Sequence, residues 1–249
     1  NLEHIKLAHT ALRNAKELPF VWDISFVEIF ESEKDGFDIV IGNPPYVRQE
    51  AIAAPMVCGT RITDDKKEYK AKLARSVYQR FPHFFGYKAN SNTVAHKINA
   101  KSDLYIYFYL HGRSLLNDKG SFCFITSNSW LDVGYGADLQ EFLLKHSHVK
   151  LILDNQVKRS FANADVNSII ALLSAPDDRS DCGLGRTARF IMFLVPFEHV
   201  LSPILFDEIE EATKRKVTKE YRHLTIRQSD LLKDGSGVLD NDGENKKAT

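Results

Sequence analysis

Composition places the sequence among ordinary globular proteins. It has 249 residues, of which 43% are hydrophobic and 27% charged, enough to bury a full core. The 33 basic and 33 acidic residues cancel, which argues against a protein whose whole surface binds nucleic acid. The sequence has no apolar run of about 18 residues and opens without the apolar segment of a secretory signal. We therefore expect a cytoplasmic protein.

The cysteines and the charge pattern bound the class further. Cys58, Cys123 and Cys182 are odd in number, widely spaced and without a C-x-x-C pair, so we expect reduced thiols and no structural metal. Between Arg61 and Lys119, twelve Lys and Arg accompany five Asp and Glu, a local excess of seven (twelve minus five). That excess fits contacts with phosphates and equally fits the solvated face of a helix.

The first part of the chain predicts a strand followed by a long insertion. After a stretch of helical spacing at 2–17, the run Phe37 to Ile41 is apolar and β-branched and stops at Gly42. That pattern is typical of a strand buried on both faces of a parallel sheet. Residues 47–101 are polar, basic and irregular apart from a helical stretch near 65–80, so we expect an insertion above the sheet.

The remaining chain alternates predicted helices and strands. A helix marked by Leu104, Phe108 and Leu115 is expected to end near Gly120. Later elements are predicted in this order: strand 122–126, helix 138–145, strand 149–153, strand 166–173, strand 190–195 and a charged helix over 209–221. This alternation predicts an α/β sheet with helices on both faces, which binds ligands at the carboxyl ends of its strands. We assign residues 1–200 to one domain and 201–249 to a linker into a further one.

The most specific signal is the tetrapeptide Asn43-Pro44-Pro45-Tyr46, which directly follows the first predicted strand. FDIVIGNPPYV resembles the fourth motif of amino-group methyltransferases. A chance occurrence in a chain of this length has a probability on the order of one in a thousand, given the frequency of proline. The structural alternative is a rigid Pro-Pro turn that closes a strand.

The chemistry of amine methylation explains these residue types. The lone pair of an adenine amine is delocalised into the ring, so two acceptors aimed at its protons are needed to make the nitrogen nucleophilic and to stabilise the charge that develops. The Asn43 side-chain carbonyl and the Pro44 main-chain carbonyl are the predicted acceptors. The prolines hold both residues extended, and Tyr46 offers a face on which an extruded base can stack.

Over residues 20–175 the chain resembles the adenine methyltransferase part of type IIG restriction–modification enzymes, of the gamma class. The segments that carry the resemblance are PFVWDISFVEIF before the motif and SDLYIYFYLHGRSLL, GSFCFITSNSWL, GYGADLQEFLL and VKLILDN after it. The resemblance implies a Rossmann-like sheet dependent on S-adenosylmethionine, double-stranded DNA as the partner, and site-specific methylation of adenine N6. It also implies that residues 201–249 begin a target-recognition domain.

Further roles follow from the resemblance by position. Asp23 matches an acidic residue that holds the adenine moiety of S-adenosylmethionine, with Asn43 also at the cofactor; an exposed loop aspartate is the alternative. Phe161 matches an aromatic that stacks on the extruded base opposite Tyr46; a core phenylalanine is the alternative.

The sequence departs from this family in one respect. The Gly-rich cofactor loop is expected before residue 1, and Gly134-Tyr135-Gly136 does not replace it, because no buried strand leads directly into it. The fold class is therefore predicted as a methyltransferase sheet without its N-terminal cofactor half, separated from nuclease and target-recognition regions of the same polypeptide. Two other functions remain open: methylation of a glutamine or ribosomal RNA amine by the same motif, and a non-catalytic fragment that contributes to DNA binding.

Overall fold

A computed structural model describes residues 21–57, 60–61, 65–155, 167–177, 179, 181–196, 199 and 202–235. The predicted helix at 2–17, Cys58 and Phe161 lie outside these residues. Cys123 and Cys182 are free thiols. No helix in the described ranges has the length and apolarity to cross a membrane.

One mixed sheet organises the described chain. Its strands are β1 (Phe37–Gly42), β4 (Leu116–Ser127), β5 (Val149–Asn155), β6 (Ser168–Ser174), β7 (Thr187–Phe193), β8 (Lys216–Val217) and β9 (Tyr221–Arg227); β2 (Met56–Val57) and β3 (Thr60–Arg61) form a separate hairpin. The seven strands lie in the order β1-β4-β6-β5-β7-β9-β8. The β1–β4 and β5–β7 pairs are parallel, whereas β6 and β9 run antiparallel to their neighbours.

Helices connect the strands and lie on both faces of the sheet, as predicted. They are α1 (Trp22–Ser25), α2 (Val27–Phe30), α3 (Lys66–Arg80), α4 (Pro82–Phe85), α5 (Leu104–Arg113), α6 (Ser129–Asp132), α7 (Ala137–His146), α8 (Pro203–Glu211) and α9 (Gln228–Gly235), with 3₁₀ turns at Gln49–Ala51 and Gly134–Gly136. The α/β class, the helix near 65–80 and the helix at 138–145 are confirmed.

The main core lies on one face of the sheet, beneath α5 and α7. Phe122 and Phe124 of β4 pack with their ring centroids 4.1 Å apart. Gly112 allows α5 to approach them, since a Cβ there would lie 2.9 Å from the Phe122 ring. Arg113 is fully buried between aromatic rings, 5.8 Å from the Phe122 centroid and 5.7 Å from that of Phe142. Burial lowers the pKa of this guanidinium to about 9.

A second apolar cluster lies on the opposite face. Ile191 and Phe193 of β7 pack with Tyr221 and with Ile209 of α8. Because successive residues of a strand point to opposite faces, Phe190 joins the main core while Ile191 joins this cluster.

The structure corrects the predicted helix over 209–221. The helix α8 ends at Glu211, and β8 and β9 follow. Tyr221 pairs with Phe193 across an antiparallel ladder, so this segment extends the same sheet. The basic run that suggested a helix instead supplies a short edge strand.

Two further features differ from the prediction: the end of α5 and the burial of β1. The helix α5 ends at Arg113, and Gly120 lies inside β4, where a Cβ would meet the Phe37 carbonyl oxygen at 2.9 Å. Within the described chain only β4 pairs with β1, which makes β1 an edge strand. It is also not buried on both faces: Ile39 and Ile41, which point to the same face, are 66% and 76% exposed.

Candidate active site

The motif lies at the carboxyl end of β1, next to the carboxyl end of β4. Gly42 pairs with Phe124 in the parallel ladder, and β4 continues to Ser127. Asn43 and the Ser127–Ser129 segment therefore lie at the same end of these two parallel strands. In an α/β sheet, ligands bind at the carboxyl ends of the strands.

The motif presents two hydrogen-bond acceptors that nothing in the described chain occupies. Asn43 is exposed and Pro44 is buried. The Pro45 carbonyl accepts a hydrogen bond from the Val47 amide at 3.0 Å. By contrast, neither the Asn43 side chain nor the Pro44 carbonyl has a hydrogen-bond partner among the residues that the structure describes. Two neighbouring acceptors are thus available to a ligand with two N–H protons.

Tyr46 is half-buried and tied to the neighbouring strand. Its hydroxyl donates to the Ile125 carbonyl of β4 at 3.2 Å, and burial raises the pKa of its phenol. The hydroxyl therefore stays protonated at neutral pH and helps to fix the ring. The sequence predicted a role only for the ring face of Tyr46, so this bond is an additional finding.

A polar cavity of about 230 Å³ opens beside Tyr46. Side chains that can donate or accept hydrogen bonds surround it: Arg48, Asp103, Tyr105, Ser127, Asn128, Ser129 and Asn167. The Ser127 and Ser129 hydroxyl oxygens lie 2.7 Å apart. These residues were not predicted from the sequence. For Ser127, Asn128 and Ser129, the signal that could have identified them was their position directly after the predicted strand 122–126.

Asp103 links the motif loop to α5. Its Oδ1 accepts from the Gln49 amide at 2.9 Å, and its Oδ2 accepts from the Tyr135 hydroxyl at 3.1 Å. The Tyr135 and Tyr105 hydroxyl oxygens lie 2.9 Å apart, and burial raises the pKa of both phenols. Asp103 and Tyr135 were not singled out as functional residues, because their partners are 54 and 32 positions away in sequence.

Asp23 lies far from the motif. Its carboxylate is exposed and forms an ion pair with Arg80 at 3.6 Å. It lines a cavity together with Asp35 and Leu116, which lie at the starts of β1 and β4. Asn43 follows the other end of β1, a six-residue strand that spans roughly 17 Å. The structure does not bring Asp23 and Asn43 together, and it describes neither Phe161 nor its surroundings.

Two lysines of the basic segment form hydrogen bonds to other residues of the chain. Lys70 Nζ donates to the Ala100 carbonyl at 2.6 Å and to Gln49 Oε1 at 3.2 Å. Lys66 Nζ donates to the Glu50 carbonyl at 3.0 Å. These lysines support the loop after the motif. Within the described ranges, no group of three or more His, Cys, Asp or Glu side chains could hold a metal ion.

Residues 1–161 match the model of the Eco57I restriction-modification methylase family. The chain belongs to that family. The match covers most of the chain, including the motif, the insertion and the first strands and helices after it. This Eco57I-type chain therefore has the Rossmann-like methyltransferase fold.

Curated relatives are similar over part of this Eco57I-type chain. It is 28% identical over 127 residues to the type II methyltransferase M.BstVI of Geobacillus stearothermophilus, covering 51% of the chain and 17% of the relative. It is 31% identical over 153 residues to M.XhoI of Xanthomonas vasicola, covering 61% and 22%. The aligned region thus spans only about a fifth of these relatives.

A solved structure supports the fold. The type IIG restriction endonuclease BpuSI is 16% identical with a TM-score of 0.51, covering 80% of this chain and 20% of the endonuclease. At this identity the similarity concerns the fold alone.

Proposed function

We propose that this chain is the motif-bearing part of a DNA methyltransferase that transfers a methyl group from S-adenosylmethionine to N6 of adenine within a restriction–modification enzyme. The observation that carries the proposal is the pair of unoccupied acceptors on Asn43 and Pro44 at the end of β1. Membership of the Eco57I family supports it. Such an enzyme would act on DNA in the cytoplasm.

The two acceptors account for activation of the amine. The Asn43 side-chain carbonyl and the Pro44 main-chain carbonyl would each accept one proton of the amine, which draws its lone pair out of conjugation with the ring. They would also stabilise the positive charge that develops on nitrogen, in the way that preorganised donors stabilise an oxyanion. Consecutive prolines restrict the backbone here, so little reorganisation is needed when the base arrives.

Tyr46 and Phe161 would hold the extruded adenine between them. The hydrogen bond from Tyr46 to Ile125 would hold its ring in place for this role, and stacking on an aromatic contributes about 1 to 3 kcal/mol per base. The polar cavity next to Tyr46 would accommodate polar edges of the base or its flanking backbone. Phe161 has this role by family resemblance alone.

The cofactor would supply an electrophilic methyl group. Asn43 is exposed next to the exposed Ile41, and a polar acceptor beside apolar surface fits a ligand with a charged amino-acid end and a flat base. Asp23 fits this site less well, because it lies with Arg80 at the other end of β1. We therefore propose that Asn43 contacts the cofactor.

The proposed partners are double-stranded DNA and the other regions of the same enzyme. The aligned segment covers about a fifth of M.BstVI and M.XhoI. The face of β1 on which Ile39 and Ile41 are largely exposed offers apolar surface for such a region, since apolar patches commonly mark interfaces.

Replacing Asn43 tests the proposal in the intact enzyme. Asn43→Ala removes one preorganised acceptor, so turnover on duplex DNA should fall by a factor on the order of 10² to 10³, equivalent to about 3 to 4 kcal/mol. Asn43→Asp should retain more activity, because a carboxylate still accepts hydrogen bonds. Turnover is measured as methyl transfer to adenine, and thermal unfolding reports whether the variants fold.

Asn92→Gly is the matched control. Asn92 is another exposed asparagine, in a left-handed turn with φ of 51° that glycine adopts readily. It should retain wild-type turnover. Wild-type turnover in a folded Asn43→Ala variant would refute the assignment of the motif as the reaction centre.

A further inference from the structure

The motif loop has no regular secondary structure of its own. Residues 43–48 lie between β1 and a single 3₁₀ turn at Gln49–Ala51. Their position therefore depends on bonds made to neighbouring elements. One bond is that from the Tyr46 hydroxyl to Ile125, and the others converge on the start of α5.

Asp103 occupies the N-cap position of α5 without capping it. An aspartate at this position usually accepts hydrogen bonds from the first amides of its own helix, but the Asp103 side chain makes no such bond. Its two oxygens instead bind the Gln49 amide, at 2.9 Å, and the Tyr135 hydroxyl, at 3.1 Å. One carboxylate oxygen is therefore bonded to the segment after the motif, and the other to the 3₁₀ turn before α7.

A second bond reinforces the same attachment. The Leu104 amide, the first of α5, donates to the Val47 carbonyl at 3.0 Å. Val47 directly follows Tyr46, and Gln49 lies two residues further on. The start of α5 thus accepts a hydrogen bond from the Gln49 backbone amide and donates one to the Val47 carbonyl. Together these bonds fix the position and the direction of the chain that leaves Tyr46.

We propose that Asp103 is a positioning residue for methyl transfer and that Tyr135 orients its carboxylate. This inference rests on the proposed function. Asp103 holds the Gln49 amide through a charge-assisted hydrogen bond, which is stronger than a neutral one. Tyr135 is itself restrained by the Tyr105 hydroxyl at 2.9 Å, so the carboxylate has one preferred orientation. As a result, the acceptors on Asn43 and Pro44 and the ring of Tyr46 keep fixed positions relative to one another.

The test compares conservative variants of the intact enzyme. Asp103→Asn keeps the size of the side chain but removes its charge, and Tyr135→Phe removes only the hydroxyl. Misplacement of a reacting group by about 1 Å can cost up to about a hundredfold in rate. We expect kcat to fall by about tenfold to a hundredfold in both variants, while the KM for S-adenosylmethionine is unchanged.

Tyr87→Phe is the matched control. It also removes a tyrosine hydroxyl that donates to a side-chain oxygen, Asn92 Oδ1 at 3.2 Å, but it does so away from the motif loop. It should retain wild-type kcat. Hydrogen exchange of the Gln49 amide supplies a second readout, which should speed up in Asp103→Asn and Tyr135→Phe but not in Tyr87→Phe.

The two readouts separate this inference from the proposed function. If the wild-type enzyme transfers no methyl group to adenine, the proposed function fails, and amide exchange alone then decides whether Asp103 holds the loop. If the wild type is active but Asp103→Asn and Tyr135→Phe keep its kcat, or leave Gln49 exchange unchanged, the positioning role is refuted. A lower melting temperature with unchanged kcat would assign Asp103 a structural role only.

Discussion

The two ends of α5 are held by different forces. At its start, Asp103 and Leu104 attach the segment after the motif through hydrogen bonds with the half-buried Gln49 and Val47. At its end, Gly112 and Arg113 pack against the aromatic rings of the main core, where Phe122 has no exposed surface. Packing of many apolar atoms stabilises the core, whereas a few directional bonds place the loop.

This difference has a consequence for substitutions. Core residues should affect the free energy of unfolding, because their loss leaves a cavity. Loop residues should affect turnover with little change in stability, because each net hydrogen bond contributes only about 0.5 to 1.5 kcal/mol. The following predictions probe that separation.

The largest expected effect on stability is at Phe122. Its ring packs against Phe124 at 4.1 Å and Tyr109 at 5.3 Å between centroids. Phe122→Ala should lower the free energy of unfolding by about 3 to 5 kcal/mol, measured by urea denaturation. Phe108→Ala is the control on stability, since Phe108 belongs to the same region but is 42% exposed. Equal losses in the two variants would contradict the separation between core and surface.

Tyr46 should show an intermediate effect that depends on what is removed. Tyr46→Ala should weaken the complex with an extruded base by about 1 to 3 kcal/mol, because a stacking face is lost. Tyr46→Phe keeps that face and loses the bond to Ile125, so it should cost about 0.5 to 1.5 kcal/mol of stability. A 2-aminopurine at the target position reports stacking, since it is quenched on an aromatic ring.

The fluorescence comparison has a clear contrary outcome. In the flipped complex, wild type and Tyr46→Phe should be dimmer than Tyr46→Ala. Equal brightness in all three proteins would remove Tyr46 from the base pocket. The same measurement on Phe161→Ala tests the proposed second face.

The smallest expected effect is the pH dependence due to His111, a half-buried residue of α5. Burial, and then the charge of Arg80, lower the pKa of His111 below its usual value of 6.5, and its Nε2 lies 2.9 Å from Ser76 Oγ. His111 is therefore protonated more readily in the unfolded chain than in the folded one. Its contribution to the free energy of unfolding is fully present above pH 6.5 and declines as the pH falls below that value.

Comparison of two variants measures this contribution. In His111→Gln, the free energy of unfolding should fall less between about pH 8 and about pH 5.5 than in wild type. His199→Gln is the control, because His199 is exposed. An identical pH dependence in wild type and His111→Gln would show that another group is responsible.

The sequence by itself predicted the parts of the molecule that depend on local pattern. Apolar, β-branched runs identified the strands at Val149–Asn155 and Ser168–Ser174, and helical periodicity identified Lys66–Arg80. The motif at Asn43 was found because its chemistry requires adjacent residues of fixed type. Such signals are local, so they can be read before the fold is known.

Only the tertiary structure decided the features that depend on distant partners. The strand β9 joins the sheet because Tyr221 pairs with Phe193, although its basic approach resembles a helix in sequence. Asp103 and Tyr135 meet although they are 32 residues apart, and Asp23 lies at the other end of β1 from Asn43 although a family pattern grouped them. Spacing along the chain fixes local conformation, but packing of the sheet and its helices decides which side chains meet.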